Sequence, residues 1–167
     1  MKKPVYLKRP SACDERERRE FARLVREGFN GSDSTLEERI SAARRLAFCW
    51  TDEDAPAAIS GLKAPSPGYR ESLFEKARSG LSAAPYELEL GWVYVVPHER
   101  GKGLGADLCR RLLQSEGTCG LFATTRPDNA PMIKILSALG FRRVGQPYPR
   151  RRERLTLFLR PPPAGAA

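Results

Sequence analysis

Apolar and polar residues recur with two different periods along this chain, and the switches between them mark its elements. From Asp14 to Gly28, Phe21, Leu24 and Val25, with Phe29 just beyond, fall at helical spacing, predicting an amphipathic helix whose other face interleaves Glu and Arg. A second helix is expected after the loop NGSDS at 30–34. A capping box of Ser34 and Glu37 would open it, with Leu36, Ile40, Ala43 and Ala47 on one face. VYLKR at 5–9, RRLAFCW at 44–50 and PAAISGLK at 56–63 read as strands, with the polar turn TDEDAP before the third. The connector APSPG leads to a short helix in YRESLFEKARSG, ended by Gly80.

YELELGWVYVV at 86–96 carries the strongest strand pattern. Strict alternation places Leu88, Leu90, Trp92, Tyr94 and Val96 on one face, and Glu87, Glu89, Gly91, Val93 and Val95 on the other. Leu104, Leu108, Cys109, Leu112 and Leu113 then form a helical stripe, and GLFATT at 120–125 is a short buried strand. MIKILSALG reads as a helix closed by Gly140. RRVGQ and RLTLFLR are further strands, GQPYPRRR is expected as the loop between them, and Tyr148 has no assigned place in it. The succession predicts a single α/β domain of mixed α+β type over residues 1–160, with 161–167 as a flexible tail.

Composition narrows the chemistry. Hydrophobic content of 41% and charged content of 29% are ordinary for a globular domain, and no apolar run is long enough for a membrane span. The basic N-terminus turns highly charged where a secretion signal would be apolar, so a cytoplasmic protein without a membrane partner is expected. Cys13, Cys49, Cys109 and Cys119 lack CxxC spacing and read as thiols of a reducing compartment. His98 is the sole histidine, which argues against a Ser-His-Asp triad and against a metal site. The net charge of +9 points to an anionic ligand. Much of that charge sits in the mixed helix, and the excess PRRRER at 149–154 lacks interleaved aromatics, so nucleic acid is not expected as a partner.

The most specific stretch is VYVVPHERGKGLG at 93–105, a strand that runs through Pro97 into a glycine-rich turn before a helix. A Walker P-loop is excluded because no Gly-Lys-Ser/Thr occurs. A dinucleotide fingerprint is met in part by Gly101, Gly103 and Ala106, but four residues separate the strand from the first glycine. Around 121–125 LFATT offers no acid for a ribose. Taken with its arginine, the motif is R-x-x-G-x-G from Arg100 to Gly105. Such a loop can turn several N–H groups toward a diphosphate where the next helix presents its own unpaired amides. The helix dipole adds about 0.3–1 kcal/mol per favourable charge, and Arg100 and Lys102 add full charges.

These residues resemble the GCN5-related N-acetyltransferase (GNAT) superfamily of acyl-CoA-dependent acyltransferases. The family pattern is a strand V-x-V-x-P, then [Q/R]-x-x-G-x-[G/A] opening a helix, and later a strand, an Asn and a helix ending L-G-F. This chain has Val93-Tyr94-Val95-Val96-Pro97, Arg100 to Gly105, Asn129, and Leu139-Gly140-Phe141. The match covers residues 86–145, and residues 1–60 show no motif of the family. The resemblance implies a central, mostly antiparallel mixed sheet splayed at the cofactor site and flanked by helices. It implies acetyl-CoA as cofactor, with the coenzyme A diphosphate on the amides of Gly101, Lys102, Gly103, Leu104 and Gly105. Val93, Tyr94 and Val95 would pair with the pantetheine arm, and Asn129 would touch the cofactor or brace the strands.

An amine acceptor near the lysine pKa of about 10.4 is free base in only about one molecule in a few thousand, so acyl transfer needs a base. Glu89, six residues before Val95 as in members with a strand glutamate, is the candidate, and Glu87 the alternative or its partner. The Val95 amide is the family-based oxyanion donor. Where members often carry a tyrosine as general acid, this chain has Leu136. The resemblance therefore implies N-acetyl transfer to a small-molecule or peptide primary amine in a ternary complex, with a non-catalytic acyl-CoA-binding module as the alternative. A homodimer is compatible with it.

Overall fold

The computed structural model describes residues 3–29, 33–51 and 54–165. Residues 30–32 of the expected NGSDS loop, Asp52 and Glu53 of the polar turn, and the last two residues of the tail lie outside them. Seven strands form one mixed sheet in the order β1-β2-β3-β4-β5-β7-β6. They are β1 (Val5–Lys8), β2 (Arg45–Trp50), β3 (Pro56–Lys63), β4 (Tyr86–Val95), β5 (Gly120–Thr125), β6 (Arg142–Arg150) and β7 (Glu153–Arg160). The helices are α1 (Glu15–Gly28), α2 (Leu36–Ser41), α3 (Pro67–Lys76), α4 (Leu104–Ser115) and α5 (Ala130–Ala138). The residues cluster into two compact units. The first comprises the described residues through Lys63 with Leu90–Ser115, and the second Ala64–Glu89 with the residues from Glu116 on.

In the first unit, β1 pairs antiparallel with β2, and β2 with β3. A capping box opens α1: Asp14 Oδ1 accepts from the Glu17 amide at 2.8 Å, and Glu17 Oε2 from the Asp14 amide at 2.9 Å. The box expected at Ser34 and Glu37 is not formed. The N-cap of α2 is Thr35, whose side chain makes no capping bond, because its hydroxyl turns back to Asp33 Oδ1 at 2.7 Å. Helix α2 also stops at Ser41, and Ala47 lies in β2 rather than on a helical face. Phe21, Leu24 and Val25 of α1 pack with Leu36, Ile40, Phe48, Ile59 and Trp92 in one core, while α4 packs on β3, β2 and β1.

In the second unit, β5 runs parallel to the start of β4 and antiparallel to β7, which pairs antiparallel with β6. Its core joins Leu73, Phe74 and Ala77 of α3 to Phe122, Tyr148, Leu155, Leu157 and Leu159. GQPYPRRR was expected as a loop, yet its first part is strand: β6 continues through Pro147, Tyr148 and Pro149 to Arg150. Two prolines are tolerated because β6 lies at the edge of the sheet, where a missing N–H breaks no inner ladder. Gly145 sits in the register shift between Val144 and Tyr148 with φ +68°, and a Cβ there would lie 2.0 Å from the Ala77 carbonyl oxygen. The Gln146 amide donates to that oxygen at 2.7 Å, so the glycine lets β6 meet the end of α3 backbone to backbone.

Candidate functional site

The glycine stretch folds as a 3₁₀ turn at Pro97–Glu99, an exposed loop, and then α4 from Leu104. Gly101 and Gly103 both have φ +78°, in the left-handed region that side chains rarely adopt, and a Cβ on either would meet nothing within 4 Å. Steric crowding therefore does not explain these glycines. Both stand in an exposed stretch immediately before a twelve-residue helix, in a conformation that glycine adopts readily. Asp107 keeps the helix start tied to this loop, its amide donating to the Gly103 carbonyl at 3.1 Å.

The charged residues of the motif are engaged with the protein itself. Arg100 Nε donates to the Val95 carbonyl at 3.0 Å, and its guanidinium lies 5.6 Å from the centre of the Tyr94 ring. Tyr94 in turn donates its hydroxyl to Glu27 Oε1 at 2.9 Å and lies over Gly28, where a Cβ would come within 2.4 Å of the ring. Burial, then the Glu27 hydrogen bond, push the Tyr94 phenol above its ordinary pKa. Lys102 donates to Glu99 Oε2 at 3.0 Å, and Lys3 to Glu99 Oε1 at 2.9 Å. The Lys3 and Lys102 hydrogen bonds hold the Glu99 carboxyl down at about 2. Glu99, which the sequence did not single out, thus gathers two cations beside the glycine loop.

The acidic pair on β4 is split. Between Tyr86 and Leu88 the register with β5 shifts: Tyr86 faces Gly120, Leu88 faces Leu121 and Glu89 faces Phe122. Glu87 is the extra residue of this bulge and is exposed, whereas Glu89 shares a face with Tyr86 and Phe122 and is 3% exposed. The expected alternation, with both glutamates on one face, is therefore broken. It is broken again at Trp92, whose φ of +52° interrupts the period that would align Glu89 with Val93 and Val95. Trp92 is held there by its indole, packed edge-on against Phe21 at 5.6 Å and over Gly61, where a Cβ would come within 2.8 Å of the ring.

Asn129 caps α5, its Oδ1 accepting from the Met132 amide at 3.3 Å and its Nδ2 donating to Thr125 Oγ1 at 3.0 Å. It ties the end of β5 to that helix. Leu136 is fully buried. The Pro149–Glu153 segment that closes the β6–β7 hairpin is exposed, so its arginines face solvent.

The profile of the Acetyltransferase (GNAT) family matches residues 13–141, more than half of the chain. The chain belongs to this family. Solved structures share the fold at low sequence identity. An acyl-CoA N-acyltransferase from Pseudomonas aeruginosa superposes with a TM-score of 0.72 at 16% identity, covering 95% of this chain and 99% of that one. Salmonella typhimurium yncA, solved with its cofactor acetyl-CoA, gives 0.68 at 18% identity, covering 98% and 96%. The ribosomal-protein-S18-alanine N-acetyltransferase of Escherichia coli gives 0.66 at 17%, covering 97% of each chain. Among curated sequences, the uncharacterized protein ML0378 of Mycobacterium leprae is 34% identical over 61 residues, 36% of this chain and 17% of that protein.

The GNAT family match spans β4, the glycine loop, β5 and α5 of this chain. Cys13, Cys49 and Cys109 are buried, and burial pushes the Cys109 thiol up to about 12. Among the described residues no helix is long and apolar enough to cross a membrane. Sequence reasoning left Tyr148 of this GNAT chain without a place. It is buried at 3% exposure on a strand that its flanking prolines disguised as a loop. The apolar RLTLFLR run that follows was the available signal, since an edge partner is required on its free side.

Proposed function

We propose that this protein transfers an acetyl group from acetyl-CoA to a primary amine, with both substrates bound together. The observation that carries the reading is the pair of left-handed glycines, Gly101 and Gly103, opening a helix with free space where side chains would stand. In this reading the amides from Gly101 to Gly105 hold the coenzyme A diphosphate, with Arg100 and Lys102 supplying positive charge. The backbones of Val93, Tyr94 and Val95 pair with the pantetheine arm, and Asn129 acts as a brace of the β5–α5 corner. Bound acetyl-CoA would supply an electrophilic thioester carbonyl. Glu89, buried on β4, takes the proton from the acceptor ammonium, and the Val95 amide faces the oxygen that gains charge. Glu87, exposed at the bulge, attracts the substrate cation rather than serving as the base.

The acceptor is a small-molecule or peptide amine, a class consistent with the alanine acceptor in the name of the Escherichia coli neighbour. Leu136, which brings no hydroxyl for the leaving thiolate, favours the second reading, a module that binds acyl-CoA without turning it over. One experiment separates them: thermal denaturation with acetyl-CoA, followed by a primary-amine panel read by free thiol release. A raised melting temperature with thiol release is the expected result. No shift at saturating coenzyme A removes the cofactor assignment, and a shift with a silent panel selects the binding module.

A further inference from the structure

The β6–β7 hairpin closes on arginine. Arg150 pairs with Glu153, so Arg151 and Arg152 form the two-residue turn, and Arg154 follows opposite Pro149. All four arginines are exposed. Glu153 is the single acid from Arg142 to Arg160, a stretch that holds seven arginines. Among the described residues none of the four tip arginines is joined in an ion pair, even with the neighbouring Glu153. Arg154 is tied only to backbone, its Nη2 donating to the Pro147 carbonyl at 3.0 Å.

Folding does not account for this composition. Arg151, the first turn residue, has φ +54°, in the left-handed region that Gly, Asn and Asp adopt more readily and for which they are the usual choice. Adjacent like charges also repel one another in the closed hairpin. Elsewhere the chain balances its exposed arginines. On α1, Arg23 lies 2.8 Å from Glu20 and 3.1 Å from Glu27, and on α4 Arg110 lies 3.2 Å from Asp107. The hairpin tip departs from that pattern against the preference of its own turn, and it leaves its guanidinium groups for an anion from outside the chain.

We propose that the hairpin tip, Arg150 to Arg154, is a docking surface for the phosphate backbone of a nucleic acid, bound without regard to sequence. The inference does not depend on the acetyl-transfer reading. The chemistry of the tip selects the partner. Its cations are all arginine, whose planar fork matches two phosphate oxygens where a lysine offers a point charge. Register places Arg150 on one face of the ribbon and Arg154 on the other, with the turn arginines at its end. Charge thus surrounds the tip, which suits a repeating polyanion better than one small anion. Apart from Pro149, residues 149–154 include no apolar side chain. A protein interface is built around an apolar centre and a membrane-surface element around apolar anchors, whereas phosphates require neither. The lack of aromatics, which argued against nucleic acid in the sequence, excludes base stacking and leaves the backbone as the ligand.

The test is fluorescence anisotropy of the full chain with a labelled single-stranded RNA of about 20 nucleotides and its DNA counterpart. At about 50 mM salt the expected dissociation constant is roughly 1–100 μM for both, and log K should fall against log salt with a slope of about −2 to −3. The triple variant Arg150→Gln, Arg151→Gly, Arg152→Gln should bind about tenfold or more weakly and flatten the slope by about 2. Its melting temperature should hold or rise, because glycine takes the φ of +54° without strain. Arg152→Glu alone, which leaves Arg151 in place, should weaken binding about 3–10-fold. A control with Arg9→Gln, Arg19→Gln and Arg44→Gln removes the same charge from exposed positions of the first unit and should stay within about threefold of the wild type. Equal losses in the hairpin variant and the control overturn the proposal, since net charge alone would then bind. So does a wild type that fails to bind at about 50 mM salt. Displacement of the RNA by polyglutamate or by phosphatidylserine vesicles more readily than by unlabelled RNA overturns it in favour of an acidic protein or a membrane. An acetyl-CoA stabilisation lost in the hairpin variant alone overturns it in favour of the cofactor.

Discussion

The loop at 97–105 and the buried face of the second unit hold polar groups in opposite ways. In the loop the groups are backbone amides, contiguous in sequence, exposed, and shaped by two glycines at φ +78°. On the buried face they are side chains, Glu89 and Tyr148, drawn from positions 59 residues apart and set on one side of the sheet by the register of β5 and β7. A site built from backbone leaves its signature in a short motif, because only glycine takes those conformations readily. A site built from register leaves none, because a single bulge changes which side chains share a face.

The comparison is broken most directly at the carboxylate. Glu89→Gln keeps the shape of the side chain and removes its capacity to take a proton. Turnover should fall about 100-fold or more, while acetyl-CoA affinity measured by calorimetry stays within twofold. Unchanged turnover would strip the buried face of its base and leave the loop as the whole of the functional machinery.

Glycines in the two regions should also fail differently. Gly145→Ala drives a Cβ to 2.0 Å from the Ala77 carbonyl oxygen at a φ of +68°, so backbone must move. A loss of about 2–4 kcal/mol is expected, seen as a melting temperature lowered by roughly 5–10 °C. Gly103→Val meets no neighbour within 4 Å and suffers only from its φ of +78°. That strain, about 1–2 kcal/mol, should appear as acetyl-CoA binding weakened about 5–30-fold with turnover at saturation retained. If Gly103→Val leaves binding unaltered, the loop does not grip through its backbone.

The same contrast explains what the sequence made legible. The helix of α4, the strands β2, β3, β5 and β7, and the family itself were readable because each signal is local: a periodic stripe, an apolar run, a glycine motif. Three features were not. Ser34 and Glu37 have the spacing of a capping box, but α2 starts one residue later, at Thr35, whose hydroxyl donates to Asp33. Glu87 and Glu89 alternate in sequence, but the shift opposite Gly120 and Leu121 parts them. Tyr148 sits between prolines that suggest a loop, but its strand lies at an edge where prolines break no ladder. In each case the deciding partner lies outside the local pattern, and the candidate site was legible only where it is made of contiguous chain.

The smallest expected effect tests whether the loop works by charge as well as by its amides. Glu99 accepts from Lys3 and Lys102, and these bonds lower its carboxyl from the ordinary 4.5 to about 2. Because the folded form holds this proton less tightly than the unfolded form, the ionised carboxylate stabilises the fold above about pH 4.5. That contribution is lost as pH falls toward 2, so the acid limb of the melting-temperature profile should be flatter in Glu99→Gln than in the wild type. The same substitution leaves Lys102 without its carboxylate partner beside the amides of Gly101 and Gly103. Acetyl-CoA should then bind about 2–5-fold more tightly at low ionic strength, with the gain fading at 0.5 M salt, roughly where exposed charges no longer reach one another. Weaker binding in Glu99→Gln at every salt concentration would reverse the assignment. The ion pairs would then be what keeps the glycine loop in its gripping conformation, and the charge of Lys102 would be incidental to the anion.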